Sequence, residues 1–167
     1  KLISMHPQDL AHALDHAIRA RGFVTSATLE LARDLLQEGL HPEQIWLGAG
    51  VLREEHYREA LREATGKTIG RLETMDAETA RVWRTYARPW TQWRLVPLSL
   101  QEKQLTYGVS VPHARFDALN QLIRSQGFEP IQHVLLEADV RRFYAARATQ
   151  KAVAREDRRL FQDLRDA

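Results

Sequence analysis

Residues 22–36 read GFVTSATLELARDLL, and residues 50–64 read GVLREEHYREALREA. At an offset of 28 residues, Gly22 aligns with Gly50, Leu29 with Tyr57 and Ala32 with Ala60. Each stretch is a glycine and a pair of apolar residues, followed by apolar positions at helical spacing. In the first copy Thr25 and Ser26 are N-cap candidates, because a short hydroxyl side chain accepts from the free N–H groups of a helix start. Leu29, Ala32, Leu35 and Leu36 then form one stripe, and Gly39 ends it in a typical C-terminal position. Two copies of a glycine turn feeding a helix predict a small duplicated helical subdomain.

On the N-terminal side, His6-Pro7-Gln8-Asp9 opens a helix with Leu10, Leu14, Ala17 and Ile18 on one face. Between the copies, Pro42 suits the first turn of a short helix through Ile45 and Leu47. A further helix covers Glu54 to Ala64, and Gly66 stops it. From Thr68 the texture changes. Asp76 to Tyr86 reads as a capped helix, and Trp90 to Leu100 as a strand after Pro89. Gln101-Glu102-Lys103-Gln104 is a polar turn, and Leu105 to Val111 has the two-residue period of a strand. His113 to Gln126 is a helix, Phe128 to Leu136 a third strand, and Glu137 starts a helix with Val140, Phe143 and Tyr144. The expected fold is α+β: a helical subdomain over residues 1–66, then a sheet of about three strands packed with helices over 67–148. Residues 149–167 are charged and either extend the last helix or form a mobile end. Within them Leu160, Phe161 and Leu164 are apolar.

Composition narrows the function. The chain has 167 residues, 44% hydrophobic and 28% charged, which is an ordinary globular balance. There is no cysteine, so disulfides, thiolate nucleophiles and cysteine metal sites are excluded. No apolar run approaches the roughly 18–20 residues that span a bilayer, and no secretory signal is visible. The first residue is Lys1 rather than methionine, which reads as a piece cut from a longer protein. The net charge is +2, too small a surplus for a dedicated nucleic-acid binder. All but four of the 24 cations are Arg, which fits solvated helix faces and, less directly, recognition of phosphate.

Catalytic signatures are missing. There is no G-x-S-x-G, no phosphate-binding G-x-x-x-x-G-K loop and no G-x-G-x-x-G. His12, Asp15 and His16 read H-x-x-D-H, and two histidines one helical turn apart could grip a metal. No matching third ligand or second acidic motif stands out, and two histidines on a wet helix face is the preferred reading. His6, His41, His56, His113 and His133 are scattered. Trp83, Trp90 and Trp93 lie among Arg81, Arg84, Arg88 and Arg94. Aromatics interleaved with Arg can stack bases and hold phosphates. The preferred reading is that the rings bridge helices to sheet with Arg stems packed over them.

The repeat and the second half together resemble the N-terminal domain of type II secretion and type IV pilus assembly ATPases, of the GspE or MshE N-terminal type. The residues that carry the likeness are Gly22-Phe23-Val24 with Leu29, then Gly50-Val51-Leu52 with Tyr57, Ala60-Leu61 and Thr65-Gly66. They continue through Met75-Asp76, Arg94-Leu95-Val96-Pro97-Leu98, Leu105 to Val111 and Phe116-Asp117-Ala118-Leu119. Phe128-Glu129-Pro130 and Val140-Arg141-Arg142-Phe143-Tyr144 close the match, which covers roughly residues 10–148.

The resemblance implies a non-catalytic accessory domain of a larger bacterial protein. Such modules dock onto membrane partners or bind cyclic di-GMP, and some end membrane-bound glycosyltransferases. The charged tail after Ala148 would suit that last arrangement. The family's nucleotide motif runs Arg-Leu-Gly, two apolar residues, Gly, two apolar residues, then Leu, Leu and Gln. Counted back from Gly22, Arg-Leu-Gly falls on Ala13-Leu14-Asp15, and counted back from Gly50 it falls on His41-Pro42-Glu43. The Gln positions fall on Leu36 and Ala64. Both arginines and both first glycines are therefore missing. What survives is the apolar scaffold of Leu14, Ile18, Gly22, Leu29, Leu47, Gly50 and Leu61. Arg19, Arg21 and Arg53 are the cations that could substitute.

The expectation is a regulatory or docking module with no catalytic residue and no metal, and cyclic di-GMP as the one ligand left open. Its partner would be a membrane-associated bacterial protein or the remainder of its own parent chain. No nucleic acid and no direct membrane insertion are expected. Its place would be cytoplasmic, at the inner-membrane face.

Overall fold

A computed structural model describes residues 7–48, 50–111 and 115–166. The fold is α+β, with helices packed on one small mixed sheet. Helices α1 (Pro7–Ala20) and α2 (Ser26–Gln37) are followed by a one-turn π-helix (Gln44–Gly48) and α3 (Glu54–Thr65). Strand β1 (Thr68–Ile69), α4 (Ala77–Gln92), β2 (Val96–Gln101), β3 (Gln104–Ser110), α5 (Phe116–Ser125), β4 (Glu129–Leu135) and α6 (Glu137–Asp166) complete the chain. The segment expected as a short helix from Pro42 is this π turn, which buries Ile45 and Trp46. Thr25 caps α2 as its hydroxyl predicts, accepting from the N–H of Thr28 at 3.3 Å. The helix start expected at His113 lies outside the described residues.

The sheet order is β1-β4-β3-β2. Strands β2 and β3 form the expected antiparallel hairpin, while β3 and β4 are parallel, joined across α5. The sheet has four strands rather than about three. The extra one, β1, pairs in parallel with β4 through Thr68 and Ile69 only. Two residues carry no period, so sequence pattern could not show it. Gly108 in β3 lies against Leu135, whose side-chain carbons come within 2.5 and 2.6 Å of where a Cβ would sit.

The segment around Pro89 differs most from expectation. Residues 90–92 are helical, not the start of a strand, and Pro89 sits inside α4. Trp83, Tyr86 and Trp90 recur at helical spacing and bury one aromatic face. Trp90 is fully buried, stacks on Tyr86 at 5.4 Å and donates its indole N–H to the Gln126 side chain at 2.9 Å. This packing offsets the roughly 3 kcal/mol that an interior proline costs a helix. The helix stops at Trp93 and Arg94, the latter with a left-handed φ of 52°.

The buried side chains form one contiguous cluster from Leu10 and Ile18 on α1, through Tyr57 and Leu61 on α3, to Leu105 and Val134 in the sheet. Helix α6 is 30 residues long, about 45 Å at 1.5 Å per residue. Its first turns bury Asp139, Val140 and Phe143. From Thr149 onward it stays helical, and every side chain but the half-buried Ala154 is exposed. Of the two alternatives for this tail, the structure shows the extended helix. No helix among the described residues is long and apolar enough to cross a membrane.

Candidate functional site

The two glycine turns have nearly the same backbone. Gly22 has φ 66° and Gly50 has φ 67°. That is the left-handed region where a side chain is strained. At each turn the following segment bonds back to the preceding one: Phe23 N–H to Ile18 O at 3.4 Å, and Leu52 N–H to Trp46 O at 3.0 Å. The copies also dock on one another. Phe23 stacks flat on His56 of α3, ring centroids 4.0 Å apart and planes within 2°. Arg21 pairs with Glu63 at 3.0 Å and Glu59 at 3.3 Å.

The residues singled out in the sequence divide sharply. Leu14, Ile18, Leu29 and Leu61 are at most 2% exposed, so their side chains belong to the core. Leu47 is half-buried, and Gly22, Gly50, Arg19, Arg21 and Arg53 are exposed. Of the three arginines, Arg21 is committed to Glu59 and Glu63. The structure therefore packs Leu14, Ile18, Leu29 and Leu61 into the core and ties Arg21 to two glutamates.

A groove of about 410 Å³ lies between α1 and α2, lined by Ala11, His12, Asp15, Arg33, Leu36 and Gln37. Asp15 and Leu36 are two of the positions that the resemblance assigns to the nucleotide motif, and here they line one cleft. The groove's charges are closed on each other: Asp15 Oδ2 accepts from Arg33 Nη2 at 2.9 Å and from Nε at 3.3 Å. The H-x-x-D-H carboxylate is thus used in an ion pair. Among the described residues no group of three His, Asp or Glu is placed to hold a metal. Arg33 had no local signal in the sequence, because its partner is 18 residues away on another helix.

A polar seam joins the helical region to the start of α6. Glu43 accepts from the backbone N–H of Glu137 at 2.7 Å and of Ala138 at 2.9 Å. A carboxylate there satisfies donors that the first helical turn leaves free and suits the positive end of the helix dipole. Position 43 is where the resemblance places the second motif's first glycine, and its side chain has a structural task instead. Burial pushes the Tyr57 phenol far above its ordinary pKa, and the Glu43 carboxylate adds to the shift. Arg58 donates to Gly70 O at 3.1 Å and to Asp139 Oδ2 at 3.2 Å. Both partners of that ion pair are largely buried. The Glu43 caps and the Arg58–Asp139 pair carry no sequence signal, since the partners lie about 80 to 95 residues away.

A second, smaller cavity of about 240 Å³ opens beyond the end of β3, lined by Gln92, Trp93, Arg94, Val109, Ser110 and Arg115. Arg94 Nη2 reaches Glu137 at 2.6 Å, and the Ser110 hydroxyl donates to the same carboxylate. Trp83 packs on Phe143 of α6 and Trp90 on Tyr86 within α4, both buried, while Trp93 is 42% exposed.

No protein-family model and no curated protein matches the sequence. Solved structures do match in fold. A structure of MshE with cdg, cyclic di-GMP, aligns over 80% of this chain and 96% of that one, at 16% identity and a TM-score of 0.57. The N-terminal domain of XpsE aligns over 81% of this chain and 94% of that one, at 16% identity and a TM-score of 0.45. The chain has the fold of the MshE structure, as its sequence resemblance implied.

Proposed function

We propose that this chain is a non-catalytic regulatory and docking module of a larger bacterial secretion, pilus-assembly or glycan-synthesis protein. The observation that carries this reading is the free half of α6. Val153, Leu160, Phe161 and Leu164 are 54–73% exposed on a helix that projects past the folded body. Leu164 lies one turn beyond Leu160 and Phe161, at i+4 and i+3, a spacing used when a helix lies in a partner's groove. Contiguous exposed apolar side chains on a soluble domain mark an interaction surface. The partner is a membrane-associated bacterial protein or the remainder of the parent chain, held at the inner-membrane face.

A photo-crosslinker at position 161 tests this in cells of the parent organism. The expected product is one adduct with a membrane-associated protein or with the parent's own remainder, lost when Leu160 and Leu164 become Ser. Absence of any such adduct, with the labelled chain expressed and folded, sinks the reading.

A second reading is a cyclic di-GMP sensor, favoured by the fold shared with an MshE structure solved with that nucleotide. The groove between α1 and α2 is where it would bind. The Asp15–Arg33 pair and the burden on Glu43 weigh against it, because a dianion needs unpaired cations. Calorimetry with cyclic di-GMP decides: no heat at about 50 µM, well above a low-micromolar Kd, removes the sensor reading.

A further inference from the structure

The cavity beyond β3 shares no lining residue with the α1/α2 groove, and the docking reading makes no use of it. Its floor is Val109 and Ser110, both buried. One wall is Trp93, whose exposed indole offers a flat π-face. The others carry Arg94 and Arg115. The Glu137 carboxylate takes Ser110, one nitrogen of Arg94 and, at 3.6 Å, Arg141, so it holds Arg94 in place and leaves other N–H groups of the Arg94 guanidinium free. Arg115 stands at the N-cap position of α5 with no side-chain cap bond, and no ion pair among the described residues engages it.

The lining carries two guanidiniums and no carboxylate, and Glu137 beside it is shared between Arg94 and Arg141. Arg94 adopts its left-handed backbone at a place where glycine usually ends a helix. Strain of that kind concentrates where a side chain is held for a purpose. The site lies at the carboxyl end of β3, where that strand runs parallel to β4.

We propose that this cavity binds a nucleoside phosphate, with the base stacked on Trp93 and the phosphate between Arg94 and Arg115. A planar guanidinium fork matches phosphate oxygens, and a base gains by stacking on an exposed indole.

Intrinsic fluorescence tests the site directly, because Trp46, Trp83 and Trp90 are buried and Trp93 is not. The full chain is titrated with AMP, GMP, CMP and UMP, with guanosine and inorganic phosphate as separate arms. The expected result is saturable quenching by at least one nucleotide below about 1 mM, absent in Trp93→Phe. Guanosine and phosphate alone should bind at least about tenfold more weakly. Arg115→Ala should raise the Kd at least about tenfold without changing the melting temperature, since the residue is exposed. Three outcomes overturn the proposal: no saturable quenching up to about 5 mM, undiminished binding in Arg115→Ala, or inorganic phosphate binding as tightly as the nucleotide. Loss of cyclic di-GMP binding at the α1/α2 groove would leave this result untouched.

Discussion

The two glycine-turn-helix copies share a local code and differ in what surrounds them. Gly22 and Gly50 turn alike, and the aligned pairs Leu29/Tyr57 and Ala32/Ala60 are buried in both. Yet α2 buries only Leu29 and Ala32, and leaves Leu31 more than half exposed. Helix α3 buries Tyr57, Ala60, Leu61 and Thr65, and Arg58 ties it to Gly70 and Asp139. A local pattern therefore sets the turn and the helix, but the neighbour decides how much of the helix becomes core. The second copy is wedged between α1 and the start of the sheet, and the first has solvent on one side.

That asymmetry is sharpest in the core. Tyr57→Ala should cost about 3–5 kcal/mol, because a fully buried ring leaves a cavity. Leu31→Ala on the first copy should change stability by less than about 0.5 kcal/mol. Urea denaturation of the two variants checks this, and equal losses would erase the distinction. Next in size is the link from α3 to α6. Asp139→Ala leaves Arg58 as a nearly buried charge facing only the exposed Glu54, and should cost about 3 kcal/mol. Asp15→Ala, which breaks the pair between α1 and the half-exposed Arg33 of the first copy, should cost about 1 kcal/mol or less.

The turns themselves should behave alike. Gly22→Ala and Gly50→Ala should each cost about 1–2 kcal/mol, since both have open space for a Cβ and pay only for the left-handed backbone. Unequal melting-temperature shifts would show that the turns differ in more than local conformation. The smallest effect concerns His133 on β4, outside both copies. Burial lowers its pKa below 6.5, so the folded protein favours the neutral ring. The unfolded chain binds the proton more readily, so stability present above about pH 6.5 declines as the pH falls through the interval below it. His133→Gln should flatten that slope in a pH series of melting temperatures, relative to the parent.

Much of the fold was legible because it rests on period and punctuation. The two turns, the α2 cap at Thr25, the β2–β3 hairpin and the helix after it follow from residues within a few positions of each other. The helix through Pro89 was not. Proline argues locally for a break, and only the buried stack of Trp83, Tyr86 and Trp90 against neighbouring elements outweighs it. The candidate sites were legible in outline: Asp15 and Leu36 came from motif positions, and Trp93 and Arg94 from an aromatic–Arg cluster. Arg33, Arg115 and Glu137 were invisible, because a charge finds its partner through space and leaves no periodic trace.

By itself the sequence determined the glycine turns, the helical stripes, the hairpin and the absence of thiol chemistry, all of which depend on short-range sterics or on composition. Tertiary structure alone decided which apolar positions became closed core and which cations were already spoken for. It also decided that Glu43 caps a helix 94 residues away. Burial and ion pairing depend on distances across the fold, which neighbouring residues do not encode.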